Sequence, residues 1–203
     1  LTFDNNTGGI VLAGGASRRM GQNKALMRLS PEKPSLIETV VAKLQGVTAG
    51  IWIVTNQAEL YQHLDFPGET KFVADNYIGG GALAGIEAGL SASKYEYCII
   101  SACDLPFLAE NLLNFLVNYN RNGWQALVPL NVTPEPLCAV YRKTALAVLR
   151  QCLEQRKFKV QDFLAQVQTQ YLAKEEWETF DPQGQSFWNL NTLDDLERAK
   201  LSS

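Results

Sequence analysis

The chain has 203 residues, 46% of them hydrophobic, which is enough for one domain with a full core. Its 18 basic and 21 acidic residues leave a net charge of −3, so it lacks the basic excess of a nucleic-acid binder, and an anionic ligand has to be held by local cations, backbone amides or a metal. No apolar run approaches the roughly 20 residues that span a bilayer, and residues 1–8 lack the regions of a signal peptide, so the expectation is a cytoplasmic protein with no membrane and no nucleic-acid partner.

Ile10-Val11-Leu12-Ala13 is a continuous apolar run ending at Gly14-Gly15, the pattern of a buried parallel strand. Residues 15–24, rich in Gly, Ser, Arg and Asn, read as a loop. Ser35 opens a helix: Glu38 completes a capping box, and Leu36, Val40, Val41 and Leu44 supply the apolar face. Residues 51–54 form a second strand, 57–64 a short helix, and 71–74 a third strand ending at Asp75. Gly79-Gly80-Gly81 is a loop, and 83–90 starts a helix whose small residues allow close packing. A fourth strand over 97–102 runs into Cys103-Asp104-Leu105-Pro106, where the proline stops it. A helix near 109–119, strands over 125–129 and 136–141, and helices near 144–154 and 160–166 follow. Residues 177–187 read as a loop, and Thr192 caps a last helix with Asp195 at its third position. Strands alternating with helices at this spacing predict an α/β fold with a mainly parallel sheet. The whole chain, 1–203, reads as a single domain with residues 1–8 flexible.

In open α/β sheets, ligands bind outside the carboxyl ends of the strands. Three such ends carry polar residues here: Gly14-Gly15, Asp75 and Asp104. In the first loop, glycines allow the backbone to approach a ligand, and Arg18, Arg19 and Lys24 add three cations within seven residues, a combination suited to a triphosphate. Gly21 is followed by Gln22, which excludes a Walker A loop, and Gly14 and Gly15 are adjacent, which excludes the dinucleotide fingerprint. Asp104 is the best metal ligand, because Mg²⁺ takes few carboxylates and completes its shell with phosphates and water. Asp75 serves equally as an Asx-turn residue. Asn189 and Asn191 flank Leu190, so in an extended segment they face one side. Arg156, Lys157 and Lys159 could bind a phosphate, but they suit more simply the carboxyl end of the helix before them.

Cys98, Cys103, Cys138 and Cys152 form no C-x-x-C pair and read as reduced core thiols. The single histidine, His63, lies in a polar stretch and reads as surface. Chemistry must therefore run on carboxylates, cations and backbone.

With these residues in view, the pattern Leu12-Ala13-Gly14-Gly15, Ser17, Arg19-Met20-Gly21 and Lys24 resembles the opening loop of sugar-phosphate and pterin nucleotidyltransferases. Segments 81–86, 101–107, 135–141 and 187–196 narrow the resemblance to the molybdenum cofactor guanylyltransferases, the MobA family. It covers nearly the whole chain. It implies a three-layer αβα, Rossmann-like nucleotidyltransferase (GT-A-like) fold. It also implies transfer of GMP from GTP to molybdopterin with release of pyrophosphate, Mg²⁺ as cofactor, and other molybdenum-cofactor biosynthesis or acceptor proteins as partners. Carried over residue by residue, Leu12, Ala13, Gly14 and Gly15 hold the guanine nucleotide through backbone. Lys24 and Arg19 bind phosphate, Asp75 and Asn56 belong to the nucleotide site, and Asp104 binds Mg²⁺. Gly21, Gly81, Asn189 and Asn191 lie toward the pterin. The chain departs from the family pattern at Asn23, where Asp is frequent, and at Ala82 and Leu193, where Pro is.

The attacking group would be the acceptor's terminal phosphate, already ionised near pH 7 because its second pKa is about 6, so no general base is required. Two other readings stay open: a CTP-dependent transferase acting on molybdopterin or a sugar phosphate, and a non-catalytic nucleotide-sensing module on the same fold.

Overall fold

The computed structural model describes residues 6–14, 23–66, 68–77, 79–192, 195, 197 and 198. Seven strands form one sheet: β1 (Thr7–Leu12), β2 (Ile51–Val54), β3 (Thr70–Val73), β4 (Tyr97–Ala102), β5 (Ala126–Pro129), β6 (Cys138–Arg142) and β7 (Thr169–Leu172), in the order β3-β2-β1-β4-β6-β5-β7. β1 pairs in parallel with β2 and β4, β2 with β3, and β5 with β7; β6 alone runs antiparallel, to both β4 and β5. The sheet is thus mainly parallel.

Helices cover both faces, giving three layers. β1 and β4 are buried throughout, and alternate residues serve opposite cores. Val11, Ile53, Ile99 and Val140 face α1 (Leu36–Gln45) and α3 (Glu110–Val117), together with Trp177 of the short α6 (Lys174–Trp177). Ile10, Val54, Ile100 and Ala139 face α2 (Gly81–Ala92), α4 (Leu146–Glu154) and α5 (Val160–Leu164). Each fully buried Ile or Leu contributes about 1.5–3 kcal/mol by leaving water.

Local chemistry explains the element boundaries that position the site. The Ser35 hydroxyl accepts from the Glu38 N–H, and the Glu38 carboxylate accepts from the Ser35 N–H at 2.8 Å, so the capping box forms as its sequence implies. α2 packs on β1 through glycine: a Cβ at Gly89 would stand 2.5 Å from Ile10 Cγ2, and one at Gly85 would stand 3.0 Å from Leu12 Cδ2. α2 therefore begins close over the carboxyl end of β1.

Several boundaries differ from the sequence reading. Thr7 and Gly8 are not a flexible lead-in but the first residues of β1, paired with Tyr97 and Cys98. β7 and α6 lack a sequence signal, because β7 (Thr-Gln-Tyr-Leu at 169–172) is short and exposed at the sheet edge. The 177–187 segment is braced rather than loose. The Asp181 carboxylate accepts from the Gln185 and Ser186 N–H groups, and Trp177 Nε1 donates to the Leu130 carbonyl at 2.9 Å. Gln185–Phe187 is a 3-10 turn that buries Phe187. The four cysteines are free, with Cys98, Cys138 and Cys152 buried and Cys103 half-buried. His63 is exposed. Among the described residues no helix is long and apolar enough to cross a membrane.

Candidate nucleotide site

From β1 the chain moves outward to β2 and β3, then returns to the other side of β1 as β4. The order reverses between β1 and β4, and in such sheets that crevice takes the ligand. Leu12-Ala13-Gly14 ends β1 and Cys103-Asp104 ends β4. The two ends are tied directly, because the Cys103 N–H donates to the Leu12 carbonyl at 3.1 Å. The Ala13 N–H is spent on Val54 of β2 at 2.9 Å. Gly14 is exposed, and a Cβ there would meet only Val54 O at 3.8 Å and Thr55 Cα at 4.0 Å, ordinary contacts. Among the described residues nothing requires glycine at that position.

Lys24 opens a 3-10 turn, Lys24–Leu26, whose cap is Asn23. Burial raises the Asp104 carboxyl above the usual carboxylate range, and the Lys24 charge opposes that rise. The same lysine donates to the Asn191 side-chain carbonyl at 3.5 Å. The Asp104 carbonyl accepts from the Leu190 N–H at 3.0 Å. Leu190 is itself buried against Leu36, with Met27, Leu29, Phe107 and Trp188 packed around it, and the Phe107 and Trp188 rings stack at 5.3 Å. The returning C-terminal segment is thereby pinned beside Asp104 and Lys24.

Asn189 and Asn191 do not lie on an extended stretch, so the sequence expectation that they share one face is corrected. The Asn191 N–H donates to the Asn189 carbonyl at 3.2 Å, which bends the segment into a tight turn rather than an extended stretch. The cap is Thr192, as its sequence implies. Thr192 Oγ1 accepts from the Asp195 N–H at 3.0 Å, and the Asp195 carboxylate accepts from the Asn191 and Thr192 N–H groups. The asparagine side chains are left free of that duty.

On the far side of β1, Asn56 Oδ1 accepts from the Asp75 N–H at 3.0 Å, joining the ends of β2 and β3. Gly81 is the first residue of α2, with φ +59 and no atom within 4 Å of a Cβ built there. It lies open at the amino end of α2. Gly15, Arg19 and Gly21, with Arg18, lie outside the described residues. Sequence reasoning did not single out Tyr61, whose hydroxyl joins Asn23 and Ala13. A lone tyrosine in a short polar helix carries no signal that would have marked it.

Cys103 adjoins the site but is no nucleophile at neutral pH: burial first, then the neighbouring Asp104 charge, push its thiol up to about 12. Among the described residues no three acidic, histidine or cysteine side chains cluster to cage a metal. One carboxylate at the crevice between β1 and β4 fits Mg²⁺, which completes its shell with other oxygens and water.

Residues 9–171 match the MobA-like NTP transferase domain. The chain belongs to that family. It is 36% identical to a protein of Chloroflexus aggregans named as a probable molybdenum cofactor guanylyltransferase, over 93% of this chain and 91% of that one. It is 32% identical to the molybdenum cofactor guanylyltransferase of Desulfosudis oleivorans, over 96% and 94%. The crystal structure of molybdopterin-guanine dinucleotide biosynthesis protein A from Archaeoglobus fulgidus superposes with a TM-score of 0.81 at 32% identity, covering 96% of this chain and 97% of that one. The protein is accordingly an enzyme, a nucleotidyltransferase of the MobA type, and its three-layer architecture is that of this structural relative.

Proposed function

We propose that the chain transfers GMP from GTP to molybdopterin, forming the guanine dinucleotide of the molybdenum cofactor and releasing pyrophosphate. The observation that carries this reading is the place of Lys24, which acts on Asp104 electrostatically on one side and bonds Asn191 on the other. A cation held between a metal-binding carboxylate and a polar C-terminal turn suits a reaction in which two phosphorylated substrates meet.

GTP lies over Ala13 and Gly14, with its phosphates directed to Lys24, Arg19 and Gly15. The acceptor approaches from the side of Gly21, Gly81, Asn189 and Asn191, and Asn56 and Asp75 border the nucleoside. The ionised acceptor phosphate forms a bond to the α-phosphorus as the bond to the β-phosphate oxygen breaks. Lys24 takes up charge that develops on the departing pyrophosphate, so catalysis consists of positioning and charge stabilisation. Asp104 would hold Mg²⁺, which would supply charge neutralisation. The four unpaired thiols suit a reducing compartment, so we place the reaction in the cytoplasm, next to the proteins that deliver molybdopterin or receive the product.

The test is pyrophosphate release with each of the four NTPs, with and without molybdopterin. Release with GTP that depends on molybdopterin is the expected result. A preference for CTP reassigns the nucleotide, and nucleotide binding without release points to a sensing module instead.

A further inference from the structure

Tyr61 closes the 3-10 turn Ala58–Tyr61 that follows β2. Its ring is 1% exposed and stacks on Phe72 at 6.2 Å. The hydroxyl donates to the Ala13 carbonyl at 3.3 Å and accepts from Asn23 Nδ2 at 2.9 Å. The hydroxyl thus donates once and accepts once.

The direction of this chain of bonds is fixed. Asn23 Oδ1 accepts from the Ala25 N–H at 3.1 Å, so the amide can offer Tyr61 only its NH₂ group. Tyr61 must then send its single proton to Ala13. One buried side chain thus joins Ala13, where β1 ends, to Asn23, the residue just before Lys24. Lys24 sits on the turn that Asn23 caps, so its position relative to β1 is set through this hub. An aspartate at 23 could still accept from Ala25, but it has no N–H to give. It would draw the tyrosine proton to itself and leave the Ala13 carbonyl without its partner.

We propose that Tyr61 and Asn23 are positioning residues for nucleotidyl transfer, holding Lys24 at a fixed distance from the backbone of Ala13. This rests on the reading of the site given above. Tyr61→Phe keeps the packed ring but releases both ends of the brace, so it is expected to lower stability somewhat, and the kinetics read the positioning role.

The experiment measures kcat, the KM for GTP, direct NTP binding by calorimetry and the melting midpoint. It compares wild type, Tyr61→Phe, Asn23→Asp, Lys24→Ala and the Tyr61→Phe/Lys24→Ala double variant. Tyr61→Phe is expected to lower kcat/KM about tenfold, the scale of one lost buried hydrogen bond. Asn23→Asp should match it, with the Ala25 cap and the melting midpoint kept; if Tyr61→Phe fails to fold, this variant reads the proposal alone. On the Lys24→Ala background, Tyr61→Phe should cost less than about twofold, since the residue it positions is gone. A lowered melting midpoint with unchanged kcat/KM overturns the positioning role, as does an undiminished loss on the Lys24→Ala background. A wild-type chain that binds no NTP overturns the site reading and this proposal with it. A wild type active with any NTP leaves the outcome to the variants.

Discussion

The Lys24 ammonium donates to the Asn191 side-chain carbonyl at 3.5 Å, across 167 residues of sequence. The bond is exposed and long, so its own energy is small. Its value is as a marker of place: it sets the C-terminal turn against Lys24. Asn191→Ala is expected to raise the KM for molybdopterin about five- to tenfold while GTP affinity stays within about twofold, the scale of one hydrogen bond. The melting midpoint should hold, because Thr192 and Asp195 form the cap. Thr192→Ala should do the reverse, losing about 1 kcal/mol of stability with near-normal kinetics. Melting and acceptor saturation curves on both variants decide the matter; a stability loss confined to Asn191→Ala would make that residue structural.

Asp104→Ala should abolish transfer and leave the fold intact. The carbonyl that receives Leu190 is main chain and survives the substitution. The carboxyl sits where burial raises it, so its removal relieves an unfavourable charge rather than breaking a support. If Asp104 holds the proposed Mg²⁺, losing it should cost several kcal/mol at the transition state, a fall of at least about a hundredfold. Turnover within tenfold of wild type, measured as pyrophosphate release across a Mg²⁺ titration, would remove the metal assignment.

Gly14→Ala and Gly89→Ala should fail in opposite ways. At Gly14 a methyl meets the described residues only at 3.8 and 4.0 Å, so folding should be spared, and the space it takes is that proposed for the ligand. NTP affinity should fall with the melting midpoint unchanged. At Gly89 the methyl would stand 2.5 Å from Ile10 Cγ2, forcing α2 off β1 at a cost of about 1–3 kcal/mol. Calorimetric binding beside thermal melting reads both, and a Gly14→Ala chain that binds GTP normally would place the nucleotide elsewhere.

Arg156 adopts φ +58 at the end of α4. Its N–H donates to the Leu153 carbonyl at 3.0 Å and the Lys157 N–H to the Cys152 carbonyl at 2.9 Å, the paired bonds of a left-handed helix stop. A side chain in that conformation costs roughly 1–2 kcal/mol, against the 0.5–1 that glycine loses in chain entropy. Arg156→Gly should therefore stabilise the protein by about 0.5–1 kcal/mol and raise the melting midpoint by a few degrees, with turnover unchanged. A lower midpoint would show that the arginine side chain makes a contribution larger than its strain.

What lay in the sequence was whatever depends on neighbours along the chain. The apolar runs ending at Gly14 and Asp104, the Ser35–Glu38 capping box and the small-residue face of α2 each express a local period or a fixed offset. From them the α/β class, the crevice at the strand ends, and Lys24 and Asp104 as separate candidates there could be read. The antiparallel course of β6, the edge strand β7 and the tight turn at Asn189–Asn191 were settled by pairing and packing with distant segments, which no local period encodes. So was the role of Asn23. In sequence it is a polar residue before a lysine. Only the fold, by burying Tyr61 between the ends of β1 and β2, gives its amide one acceptor to serve and thereby a direction to the bonds that hold Lys24 in place.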